Sequence, residues 1–139
     1  MSGAVVGFVG EWAFLSNFHP AWVDFDGDLY PTVEHAYQAA KAPSREDRTS
    51  IRLATTPGRA KALGGRFSPV DWEDRKVRIM KELLVSKFIN VGLQEKLLST
   101  EDWILVEDNS WGDTFWGVCN GVGTNVLGLL LMEVRETLR

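Results

Sequence analysis

Cysteine is almost missing from this chain, with Cys119 the single copy, and histidine is limited to His19 and His35. One thiol cannot close an internal disulfide, and one thiol with two imidazoles at these separations matches no zinc spacing. Neither a disulfide scaffold nor a bound metal is therefore expected. No stretch approaches the roughly 18 apolar residues that cross a bilayer, and the first residues have neither the basic start nor the apolar core of a secretory leader. The expectation is a cytoplasmic protein with no membrane partner. Positive charge is also in deficit, since 15 Lys and Arg face 19 Asp and Glu for a formal net charge of −4. Holding nucleic acid by broad phosphate neutralisation needs a basic face, so long duplex contacts are disfavoured. A nucleotide, or one modified base entering a pocket, is not. Internal repeats and low-complexity tracts are absent.

What the chain does have is apolar and aromatic. A length of 139 residues at 45% hydrophobic content suits one core, and a single domain over 1–139 is expected. Six Trp in so short a chain point first to large rings filling a small interior.

The stretch PTVEHAYQAAK, Pro31–Lys41, holds the most organised pattern. Pro31 cannot sit inside a helix and Thr32 is a good N-cap, so a helix is expected from Val33 past Ala40. At 100° per residue, Val33, Ala36, Tyr37 and Ala40 share one apolar stripe, and Glu34, Gln38 and Lys41 form a polar stripe beside it. Two neighbouring stripes suggest a helix buried on one side and lining a cleft on the other. A Glu in a first helical turn is also ordinary surface chemistry, stabilised by the dipole by about 0.3–1 kcal/mol.

Along the chain, Ala4–Val9 reads as a strand, and EWAFLSNFHP, Glu11–Pro20, as an aperiodic loop. Trp12, Phe14 and Phe18 either plug one end of the core or, with Asn17, hold a planar ligand. Asp26-Gly27 between short apolar runs predicts a hairpin that delivers the chain to Pro31. Ala42–Ser50 reads as a charged connection into a short helix near Ile51–Ala54, and Thr56-Pro57 with Gly64-Gly65 brackets another. Val70–Asn90 is the longest expected helix, with Val77, Met80, Leu84 and Phe88 on its core face. Trp72 lies in its first turn, where its indole either packs or floors a site for a flat base. A short helix over Leu93–Leu98 and a strand over Trp103–Glu107 follow. Then comes GDTFWGVCNGVGTN, Gly112–Asn125, before a last helix with Leu127, Leu130, Leu131, Val134 and Leu138 on one face. Gly121 and Gly123 would let the backbone approach a ligand, and free N–H groups at the helix start would suit a phosphate, although such turns are as often plain connections. Together these elements predict an α+β fold with a small sheet surrounded by several helices.

The blocks FLSNFHP, YPTVEHAYQAAK, VDWEDRKVRIMKELLVSKF, GDTFWG and GTNVLGLLLMEVRE, in that order from about Phe14 to Glu136, resemble the NADAR (YbiA-like) superfamily. The resemblance implies an α+β enzyme that cleaves N-glycosidic bonds with no metal or cofactor. It implies removal of ADP-ribose from guanine, in DNA through the modified base or in nucleotides, as the expected reaction, with phosphoribosylamino intermediates of riboflavin synthesis as the alternative substrates. A non-catalytic ADP-ribose-binding module is the remaining alternative. Matching positions make Glu34, Lys41 and Asp113 the catalytic candidates, and Asn17, Phe18, Trp72, Trp116, Gly117 and Asn125 the substrate-binding ones. The connection APSREDRTS departs from the family's more apolar sequel to the lysine.

Cleaving a ribosyl C–N bond needs a protonated leaving nitrogen and an electron-rich group at C1. Burial is expected to outweigh the helix dipole at Glu34 and let it carry a proton near neutral pH. Lys41 could attack the C1 of an opened ribose to give a Schiff base, or only bind phosphate while Glu34 activates water. His35 points about 100° away from Glu34 and reads as structural, and Cys119 as packing.

Overall fold

The structure, a computed structural model, describes residues 3–139. In chain order its elements are β1 (Ala4–Val6), a 3-10 helix (Gly10–Leu15), β2 (Val23–Phe25), β3 (Asp28–Tyr30), α1 (Val33–Ala39), α2 (Arg45–Arg52) and α3 (Pro57–Gly64). There follow α4 (Trp72–Lys87), α5 (Val91–Leu98), β4 (Ile104–Val106), β5 (Asp108–Asn109), β6 (Val118–Cys119) and α6 (Val126–Thr137). They gather into two compact units, one formed by the chain up to Ser16 together with Phe88–Arg139, the other by Asn17–Lys87. The fold is α+β. Where one small sheet was expected, the strands form three separate pairs: β1 with β4 in parallel, β2 with β3 antiparallel, and β5 with β6 in parallel.

In the discontinuous unit, Val5 lies opposite Leu105, and α6 packs on β4. The first strand stops at Val6 and not at Val9, because the chain turns at Gly7. The segment expected as a loop from Glu11 is wound into the 3-10 helix as far as Leu15, which buries Phe14 and Leu15. Trp12 packs its ring 6.4 Å from Phe14 and 6.0 Å from Trp103, the plugging role foreseen for these aromatics.

In the Asn17–Lys87 unit the hairpin turns at Asp26 and Gly27 with φ of 51° and 88°, two positive angles of the kind that close a two-residue hairpin. The stretch read as a connection is mostly α2. Ser44 caps it, its Oγ accepting from Asp47 N–H at 3.1 Å, so the charges of REDR are a helix surface. In α4, Met80, Leu83 and Leu84 are buried with Ile79, while Val77 is exposed. The core face is therefore rotated from the one expected, and it also takes in Lys87, which is 1% exposed. Burial pushes the Lys87 ammonium down to about 7. No helix among the described residues is long and apolar enough to cross a membrane.

Candidate active site

α1 begins where expected because Thr32 caps it, with Thr32 Oγ1 accepting from His35 N–H at 3.0 Å. A second free N–H of the first turn, that of Glu34, donates to the Asn17 carbonyl at 3.1 Å. The SNF block therefore touches the Glu34 backbone directly, a contact that no sequence spacing reveals. The Thr32 hydroxyl also meets His35 Nδ1 at 2.8 Å, and His35 Nε2 lies 3.0 Å from the Ala54 carbonyl. A carbonyl can only accept, so Nε2 carries the hydrogen and Nδ1 accepts from Thr32. With both nitrogens committed and the ring buried, His35 is structural, as expected.

Every residue of α1 is buried, not only its apolar stripe, because α2, α3 and α4 pack around it. The polar pair is enclosed too: Glu34 is 8% exposed and Gln38 is 4% exposed. Gln38 Nε2 donates to Glu34 Oε2 at 2.6 Å, which fixes one oxygen of the carboxylate. Gln38 is itself clamped from α3, where a Cβ at Gly64 would fall onto the Gln38 amide. That glycine was expected only as a helix stop; its lack of a side chain is what admits Gln38. The Gln38 Oε1 atom is buried with no protein partner, and so is Asn17 Oδ1, while Asn17 Nδ2 reaches Met80 Sδ at 3.5 Å. Phe18, the neighbouring candidate, is exposed.

α1 ends at Ala39, just short of the expected end past Ala40. Lys41 and Ala42 donate back to Gln38 and Ala39 in a tightened last turn, and Pro43 stops any continuation. Lys41 is thus held by a turn and not by the helix. Its Nζ lies 5.3 Å from the Tyr37 ring centre and 5.8 Å from that of Trp72, whose rings are 5.2 Å apart. Burial lowers the Lys41 pKa, the Glu34 carboxylate raises it in part, and Lys61 and Lys76 lower it further. The amine therefore gives up its proton more readily than an exposed lysine, yet it senses Glu34.

Trp72 is 8% exposed, and besides Tyr37 and Lys41 its ring carries the Arg75 guanidinium at 5.5 Å. The indole, read from the sequence either as packing or as the floor of a site for a flat base, supports two cations of its own chain. Arg75 Nε lies 2.9 Å from Asp71 Oδ2, near enough for an ion pair though the N–H is not aligned for a hydrogen bond. Beside Lys41 opens a pocket of about 350 Å³, lined by Phe25, Asp26, Pro43, Arg48 and Arg75 among others. Arg48 Nη1 donates to the Ala42 carbonyl at 3.2 Å. Sequence reading passed over both arginines. Ser44 three residues before Asp47 was a capping signal that could have placed Arg48 on a helix.

The other candidates belong to the discontinuous unit. Asp113 Oδ1 accepts from the N–H groups of Phe115 and Trp116 at 3.1 and 2.9 Å, a turn closed by its own side chain. Asn109 pins that turn by bonding both the carbonyl and the N–H of Asp113. Trp116 meets Phe115 edge-on at 4.9 Å. Gly117 is buried, and a Cβ there would collide with the Glu107 carbonyl. Asn125 has left-handed backbone (φ 56°) and clasps α6 to β4, its Oδ1 accepting from Glu107 N–H and its Nδ2 donating to the Leu105 carbonyl, both at 2.9 Å.

The phosphate-binding helix start must be corrected. The N–H groups of Asn125, Val126 and Leu127 donate to the carbonyls of Gly117, Phe115 and Trp116 at 3.0–3.2 Å. The close approach that Gly123 permits, at φ +154°, is to the Gly117 carbonyl of its own turn. Any sugar or phosphate contact by Asn125 would have to use the second hydrogen of Nδ2 or the second lone pair of Oδ1. Among the described residues no three His, Cys, Asp or Glu cluster closely enough to hold a metal ion.

Comparison with known proteins gives a consistent result. The NADAR domain model matches residues 7–139. An N-glycosidase of Nostoc punctiforme is 42% identical over 133 residues, covering 90% of this chain and 85% of that protein. A riboflavin biosynthesis protein of Vibrio vulnificus is 36% identical over 91% of this chain, which matches only 35% of that longer protein. The solution structure of Escherichia coli YbiA superposes with a TM-score of 0.86 at 35% identity, over 99% of this chain and 86% of that one. The chain therefore belongs to the NADAR domain family.

Proposed function

We propose that the protein is an N-glycosidase that hydrolyses the C–N bond of a phosphorylated ribosyl N-glycoside. The observation that carries this reading is the pairing within one unit of a buried, Gln38-held Glu34 carboxylate with a Lys41 amine whose pKa burial lowers and Glu34 modulates. The relatives named N-glycosidase support it.

In the reaction proposed, the ring C1–O bond breaks as Glu34 gives the ring oxygen a proton, the neutral Lys41 amine adds to C1, and one of its protons passes by way of Glu34 to the glycosidic nitrogen, so that the base leaves as a free amine and C1 stays in a Schiff base with Lys41. Water then adds to C1, the C–N bond to Lys41 breaks, and Glu34 recovers its proton. The net change is one water consumed, with the free amine of the base and the free sugar as products.

Of the two substrate groups, relatives named riboflavin biosynthesis proteins favour a phosphoribosylamino-pyrimidine. ADP-ribose on guanine is the alternative. The test incubates wild type and Glu34→Gln with each substrate and follows released sugar by mass spectrometry, with borohydride added during turnover. Release by wild type and not by the variant, with a reduced adduct on Lys41, is the expected result. Release without any lysine adduct would leave the glycosidase standing and replace the covalent route with direct attack by water. Binding without release from either substrate would overturn the enzymatic reading.

A further inference from the structure

The pocket beside Lys41 is walled by three cationic side chains, Lys41, Arg48 and Arg75, against one carboxylate, Asp26. In a chain of net charge −4 such a concentration is local and contrary to the whole. Neither arginine is free to swing. Arg75 lies over the Trp72 ring and pairs with Asp71, and Arg48 is held by the Ala42 carbonyl in the turn that also places Lys41. Two restrained guanidiniums facing one cavity are an arrangement suited to forked recognition of phosphate oxygens, with much of the ordering cost met before a ligand arrives.

We infer that this pocket is a phosphate subsite, in which Arg48 and Arg75 bind the phosphate monoester of the sugar whose C1 meets Lys41. The assignment rests on the glycosidase reading for the sugar and on the pocket itself for the phosphate. Charge and size both select a monoester. Near neutral pH a phosphate monoester carries close to two negative charges, its second pKa being about 6, and two guanidiniums balance it. The volume of about 350 Å³ is near the lower end of small-molecule pockets, which run from about 300 to 1,000 Å³. A ribose phosphate fits that space more readily than a dinucleotide-sized ligand. Asp26 on the same wall would repel a second phosphate and can accept from a sugar hydroxyl, and the Trp72 ring is already occupied by cations instead of offering a face to a second base. Arg48 reaches the pocket from α2, the segment in which this chain departs from the more apolar sequel that the family resemblance implies.

The test compares kcat/KM for a phosphoribosylamino-pyrimidine and for the same compound without its phosphate, in wild type, Arg48→Ala, Arg48→Lys and Arg75→Lys. Binding of ribose 5-phosphate and of ADP-ribose to each protein is followed by amide NMR titration. Wild type should strongly prefer the phosphorylated compound. Arg48→Ala should cut that preference by about 10- to 100-fold, mainly through KM, the scale of a lost charged hydrogen bond. Arg48→Lys, which keeps charge but not the fork, should fall between and carries the comparison if the alanine variant does not fold. Equal kcat/KM for both compounds in wild type, or an unchanged preference in the folded Arg48 variants, would overturn the subsite while leaving the glycosidase intact. If neither compound is cleaved but ribose 5-phosphate binds and Arg48→Ala weakens it tenfold, the subsite stands and the phosphoribosylamino-pyrimidine reading fails. Tighter binding of ADP-ribose than of ribose 5-phosphate through the same arginines would overturn the monoester assignment.

Discussion

Two stretches of this protein carry its most legible motifs, α1 with the turn that follows it and the glycine-rich turn before α6, and they use their polar groups in opposite ways. Around α1 a carboxylate and an amine are positioned by neighbouring side chains: Gln38 bonds one Glu34 oxygen, and two aromatic rings cradle Lys41. Before α6 the polar groups face inward. Asn125 joins helix to strand, Asp113 closes its own turn, and three helix-start N–H groups are taken by backbone carbonyls. A glycine-rich turn before a helix suggests an anion site only while its donors are free, and here they are not.

The contrast can be broken most sharply at Glu34. Glu34→Gln should lower kcat by about 10²–10⁴, the usual scale for general acid–base catalysis, with little loss of thermal stability because the amide is nearly isosteric. Comparable kcat in variant and wild type would remove Glu34 from the chemistry. Asn125→Ala, its counterpart, should show the reverse emphasis. Losing two hydrogen bonds and a favourable left-handed residue is expected to cost about 2–4 kcal/mol in a denaturant titration, so a variant as stable as wild type would refute the clasp.

Gly64→Ala sits between these cases. Its methyl would displace the Gln38 amide, and we expect about 1–3 kcal/mol of destabilisation together with a fall in kcat. A loss of stability with kcat retained would separate Gln38 from the function of Glu34.

Lys87 gives a pH-dependent test. Its folded pKa, about 7, lies below the ordinary lysine value of 10.5, so between these values the unfolded chain binds the extra proton. The penalty of burying the ammonium is then fully present below pH 7 and is relieved as pH rises toward 10.5. Wild type should gain up to about 1.4 kcal/mol per pH unit over that window, and Lys87→Met should lack this slope. Parallel slopes in the two proteins would place the titration elsewhere.

The smallest effect concerns Lys41. Because the Glu34 carboxylate raises the lysine pKa against the larger effect of burial, Glu34→Gln should move the pH profile of Lys41 modification by an amine-reactive aldehyde to lower pH. A shift to higher pH would contradict their proximity.

Much of this could be read from residues alone. The cap at Thr32, the hairpin turn at Asp26-Gly27 and the proline start of α3 were legible because each depends on a conformational preference of one or two adjacent residues. The family was legible because several blocks recur in order. The pairing of Asn17 with the Glu34 backbone was not, since seventeen positions separate them in the chain and only the folded path joins them.

By itself, then, the sequence determined where most helices begin, where β1 to β4 lie but not the short β5 and β6, and which side chains are candidates for chemistry. Tertiary structure alone decided that α1 is buried on all sides, that Trp72 supports two cations, and that Arg48 and Arg75 share a pocket with Lys41. It also decided that the donors before α6 are already satisfied. The physical reason is one of range. Caps and turns are local torsional and hydrogen-bond preferences, whereas burial, desolvation and the meeting of charges depend on which distant segments pack together.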